Sequence, residues 1–76
     1  MNKNELERLG WNMTRSFLKT LPEKPTGDIA KMATENLENN KIVKELLRDL
    51  PLLKEERMGH LKVGMKNAIA NYYSLS

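Results

Sequence analysis

Apolar residues return every three or four positions along this chain, with charged and amide residues between them. That is the period of a helix with one buried side. Leu6, Leu9, Met13, Phe17 and Leu21 fall on one stripe, and Trp11 and Leu18, seven apart, form a second apolar edge. Together they predict a first helix over residues 5–20. Asn4 is its expected cap, and Glu7 three positions on completes a capping-box-like pair. Gly10 weakens a helix by about 1 kcal/mol relative to alanine. Beside Trp11 it leaves room for another helix to come close.

The rhythm stops at Leu21-Pro22-Glu23-Lys24-Pro25-Thr26-Gly27. Each proline removes a backbone donor and pushes the preceding residue out of the α region. The segment reads as an ordered connection between helices. A second helix follows over residues 28–38, capped by Thr26 or Asp28. Ile29, Met32, Ala33 and Leu37 face inward, and Asp28, Lys31, Glu35 and Glu38 face outward. Asn39-Asn40 shifts the apolar phase, and asparagine tolerates the left-handed conformation that often ends helices. A third helix is expected over residues 41–49. Its wide apolar face of Ile42, Val43, Leu46, Leu47 and Leu50 marks it as central to the core. Pro51 ends it or opens the next helix, since proline is tolerated in a first turn.

The fourth and longest helix is predicted over residues 52–72, starting at Pro51 or Leu52. Leu53, Met58, Leu61, Met65, Ala68, Ile69 and Tyr72 make its inner face. Gly64 and Ala68 leave a notch for a neighbouring backbone, and residues 73–76 are expected to fray. No stretch alternates as a strand does. The expected fold is all-α, one compact bundle of about four short helices spanning residues 1–76.

Composition narrows the picture further. The 76 residues contain no cysteine and a single histidine, His60. Disulfides are therefore excluded, and a structural zinc site lacks ligands. A domain this small has a stability on the order of 3–5 kcal/mol, so a partner or a second copy of the chain is an expected source of support. The start, Met1-Asn2-Lys3-Asn4-Glu5, has no basic-then-apolar leader and no apolar run is long enough to span a membrane. A cytoplasmic location is expected, with no membrane partner.

Charge adds one asymmetry. The net charge is +3, and all of the excess sits beyond Glu56, where Arg57, Lys62 and Lys66 meet no acid. The simplest reading is compensation of the helix dipole. The alternative is a small basic patch for phosphate or an acidic protein surface.

Catalytic chemistry finds little to stand on. No nucleophile has a base and an orienting group at a recognisable spacing. Glu5 with Glu7, Glu35 with Glu38, and Glu55 with Glu56 read as solvated faces. Glu56 and His60 share a face and read as a surface hydrogen bond. Gly59, beside His60, marks a kink, a close crossing or a place where a ligand meets the backbone, with packing the default. No phosphate loop or dinucleotide fingerprint is present. No cofactor or metal is expected.

The leading expectation is a non-enzymatic adaptor, regulator or inhibitor that binds a larger protein and forms homo-oligomers. Small inhibitors encoded by mobile elements fit the same profile. Trp11 and Tyr73 are the candidate anchors, and Arg15, Arg57, Lys62 and Lys66 the candidate steering charges. Trp11 reads equally well as a cap on the core. The alternative function is nucleic-acid or nucleotide binding, by a helix-turn-helix-like second and third helix with Lys41, Lys44 and Arg48 on one side, or by the basic fourth helix. Against it stand Glu45 and Asp49, the missing turn glycine, and a third helix apolar enough to be buried.

Overall fold

Four helices form among the described residues, the first three each starting where a side chain satisfies its first free amides. The computed structural model describes residues 2–21, 27–48 and 54–74. Helix α1 covers Lys3–Leu18, α2 Ile29–Asn39, α3 Lys41–Arg48 and α4 Lys54–Ser74. The described residues contain no strand, and the C-terminal helix, with 21 residues, is the longest. The prolines of the first connection, the alternative cap Thr26, and Asp49, Leu50, Pro51, Leu52 and Leu53 lie outside the described residues.

Helix α1 starts two residues earlier than predicted. Asn2, not Asn4, is its cap, and its Oδ1 accepts from the Glu5 amide at 2.9 Å. The chain leaves α1 through a tight turn, in which the Thr20 hydroxyl and amide both donate to the Phe17 carbonyl. Asp28 caps α2 by accepting from the Lys31 amide at 3.1 Å, and Gly27 before it takes φ +102°.

The break at Asn39-Asn40 is present, but its cause differs from expectation. Asn40 is extended, with φ −71° and ψ 129°, and no described residue other than glycine has positive φ. Its side chain accepts from the Ile42 and Val43 amides at 2.9 and 3.4 Å. The asparagine therefore stops α2 by capping α3.

The core gathers Leu6, Ala33, Leu37, Val43, Leu47, Leu61 and Met65, flanked by half-buried Leu9, Met13, Phe17, Leu46, Met58 and Ile69. On α1 the fully buried line is Leu6, Gly10, Thr14 and Leu18, not the stripe through Leu9, Met13 and Phe17. The reason lies in α4. A Cβ on Gly10 would overlap the Leu61 carbonyl oxygen, and one on Gly64 would overlap that of Glu7 and lie 2.8 Å from the Trp11 nitrogen. Where both helices carry glycine their backbones touch, and the small residues are covered by main chain. The larger side chains flank the seam.

Arg15 donates to Asn71 Oδ1 at 3.2 Å, which fixes the direction of the pair. Both residues lie C-terminal to the glycine crossing, so α1 and α4 run the same way. In an antiparallel pair they would sit roughly 20 Å apart along the seam at 1.5 Å per residue.

Helix α3 is less enclosed than expected. It buries Val43 and Leu47 and leaves Ile42 60% exposed. Eight residues make little more than two turns, which present one narrow side to the core. At the other end of the chain α4 continues through Tyr73 and Ser74, where fraying was expected. The Ser74 hydroxyl donates to the Asn71 carbonyl at 2.9 Å.

Candidate interaction surface

The six residues singled out as partner contacts fall into two groups. Trp11, Arg15 and Arg57 belong to the α1–α4 seam. Trp11 is half-buried, the Arg15 guanidinium stands 5.7 Å from its ring centroid, and the same guanidinium donates to Asn71. This arrangement ties α1 to α4, so Arg15 is engaged within the fold. Asn71, its partner, carries no signal in the sequence, because 56 residues separate the two. Arg57 lies one turn before Leu61 on the line through Gly64 and Ala68, half-buried, with one terminal nitrogen buried and without a hydrogen-bond partner among the described residues.

Lys62, Lys66 and Tyr73 lie on the opposite, outer face of α4. Positions 59, 62, 63, 66, 70 and 73 repeat at helical spacing and form one side of the helix. Gly59, Val63, Lys66, Ala70 and Tyr73 are exposed and Lys62 is half-buried. Val63 is 41% and Tyr73 39% exposed, and with Ile42 they are the exposed large apolar side chains among the described residues. The Tyr73 ring packs edge-on to Tyr72, with centroids 5.3 Å apart.

Two expectations about this face change. The dipole does not account for its cations. Helix α4 ends at Ser74 and its last turn holds no basic residue, whereas Lys62 and Lys66 sit more than two turns earlier. The dipole effect fades within the final turn. Nor does packing account for Gly59. Gly10 and Gly64 are pressed against backbone, but no described residue comes within 4 Å of a Cβ built on Gly59. Instead, Gly59 borders a groove between α3 and α4.

The rival residue set lies close by. Lys41, Lys44 and Arg48 are exposed on one side of α3. Lys44 and Arg48 join Lys62 around a groove of about 970 Å³ between α3 and α4, floored by Val43, Leu47 and Met58. Glu38 and Glu55 line the same groove, so its rim is of mixed sign.

The chain matches no family model, no curated protein and no solved structure. The surface therefore carries the functional reading alone. Among the described residues, no group of three or more acidic or histidine side chains is placed to hold a metal ion. His60 Nε2 lies 3.9 Å from Glu56 Oε1, a contact between neighbours one turn apart on α4. No described helix is long and apolar enough to cross a membrane.

Proposed function

We propose that this chain is a non-enzymatic interaction protein, an adaptor, regulator or inhibitor, that engages a larger protein through the outer face of α4. One observation carries the reading. That face exposes Val63 between Lys62 and Lys66, and Tyr73 about two turns beyond them, and no carboxylate lies anywhere from Arg57 to Ser74. Exposed apolar and aromatic groups beside cations supply both contact area and long-range steering. Trp11 and Arg15 serve the fold in this reading, and partner contact moves to α4. Self-association through the same face is disfavoured, because a two-fold pair sets two copies of one cationic patch against each other. A homo-oligomer of this chain would use another surface.

The test places a photo-crosslinking amino acid at Val63 and, in a separate protein, at Glu35 on α2, and irradiates each in the native cell. A specific protein adduct at Val63 but not at Glu35 supports the reading. Equal adducts at both positions, or none at Val63, reject it.

Exposure of Lys41, Lys44 and Arg48 favours nucleic-acid binding as a second reading, since α3 is open on that side. Glu45 beside them, and Glu38 and Glu55 in the groove, weaken the local field. If this reading holds, duplex affinity falls steeply as salt rises. Negligible duplex binding at low salt removes it.

A further inference from the structure

We infer that this chain pairs with a second copy of itself through the uncharged groove between α1 and the α2–α3 junction, with Ile42 of each copy seated in the groove of the other. That surface is separate from the outer face of α4, so each can fail its test alone.

The groove has a volume of about 480 Å³ and lies between the C-terminal half of α1 and the residues where α2 gives way to α3. Half-buried Met13 and Phe17 supply its apolar lining, and Asn12, Ser16 and Asn36 its polar lining. Ile42 lines the same groove and is 60% exposed, the most open large apolar side chain among the described residues. Its exposure has a local cause. Asn40 caps α3 and fixes where that short helix starts. Val43 and Leu47 then turn to the core, and Ile42, one position before Val43, is rotated about 100° from it around the helix. A projecting apolar side chain and a groove with apolar walls thus stand side by side on one face.

A two-fold pair uses the same patch on both subunits. A face that carries both a knob and a hole meets this condition, because each copy offers its knob to the other's hole. Removing an exposed isoleucine from water is favourable, and the pair does so twice while covering the open edges of Met13 and Phe17.

Charge decides between occupants. Among the described residues no charged side chain lines this groove, whereas Glu38, Lys44, Arg48, Glu55 and Lys62 line the one between α3 and α4. The charges that adjoin it in sequence are of both signs, Arg8, Lys19 and Lys41 with Glu35 and Glu45. Two copies therefore meet without like charges at the centre of the contact. Nucleic acid finds no cation in the lining, and a charged peptide finds no opposite charge there to select it. A lipid surface finds one projecting apolar side chain, too little for an interfacial anchor. The patch is narrow, so the pair belongs with small, weak interfaces, below about 1,200 Å² in total.

Sedimentation velocity of the whole chain, from about 10 μM to about 1 mM, reads the pairing directly. A shift from monomer toward dimer across that range is expected. Ile42→Ser alters an exposed position and is expected to weaken dimerisation about tenfold or more, with helical content by circular dichroism unchanged. Val63→Ser on α4 is expected to dimerise as the parent does. The chain has no cysteine, so Lys41→Cys places a single spin label beside Ile42. Mixed with isotope-labelled parent chain, it is expected to broaden the amide signals of residues 12–17 in the other copy and to leave those of residues 62–73 sharp. Dimerisation of Ile42→Ser at the parent's affinity, or broadening centred on α4, overturns the inference. A chain that stays monomeric throughout also overturns it and leaves the groove to a different protein.

Discussion

Replacing Gly10 and Gly59 in turn by alanine adds the same methyl group to two helices, with opposite consequences expected. At Gly10 the new carbon overlaps the Leu61 carbonyl oxygen and lies 2.9 and 3.1 Å from the Leu61 carbonyl carbon and Cα. These are backbone atoms held inside a helix, and no rotamer change moves them aside. Relief requires α1 and α4 to part. Parting loosens Leu61 and Thr14, both 0% exposed, and Met65 at 2%. Alanine improves helix propensity by about 1 kcal/mol. Overpacking that shifts backbone costs about 1–3 kcal/mol and occasionally more, and a clash with backbone belongs at or above the upper end. A net loss of about 2 kcal/mol follows, against a total on the order of 3–5 kcal/mol for a domain of this size. At Gly59 only the propensity gain remains, because the site is open. At about 4–8 °C per kcal/mol, Gly10→Ala lowers Tm by about 8–16 °C and Gly59→Ala raises it by about 4–8 °C. Urea unfolding followed by circular dichroism at 222 nm measures both. If Gly10→Ala is as stable as the parent, the close α1–α4 seam is wrong, and if Gly59→Ala loses stability, the open space at Gly59 is wrong.

Thr14 is fully buried and its hydroxyl has no partner among the described residues, so Thr14→Val, of the same shape, should stabilise by about 1 kcal/mol. A loss in the same urea assay would reveal a hydrogen bond the geometry does not show. Asn40→Ala frees the Ile42 and Val43 amides and should cost about 1 kcal/mol, with Asn40→Gly costing only a few tenths. Equal stability of all three proteins would exclude the capping role. Arg15→Met and Asn71→Ala, alone and together, should show a coupling of about 1 kcal/mol. Additive losses would show that the bond linking α1 to α4 contributes nothing.

The sequence by itself determined the helices. Side chains three and four apart share a face whatever surrounds them, so Ala33 with Leu37 on α2, and Leu61, Met65 and Ala68 on α4, could be read as inner residues and are buried. Local hydrogen bonding made the Asn39-Asn40 break legible too, although the rule applied to it was wrong. Asn40 caps the next helix. The depth of burial along α1 was not legible. It depends on how closely another backbone approaches, and that approach is greatest where side chains are smallest. Gly10 and Thr14 therefore lie at the centre of the seam, while Met13 and Phe17, far more apolar, stand at its edge. The candidate surface divides in the same way. The absence of acids beyond Glu56 is plain in the sequence, but only the folded chain shows that Arg15 is held by Asn71 and that α4 runs past its lysines to Ser74. Gly10, Gly59 and Gly64 look alike as letters in helical segments. Tertiary structure alone decides which of them face a backbone and which faces open space, because an interhelical distance is set by both helices at once.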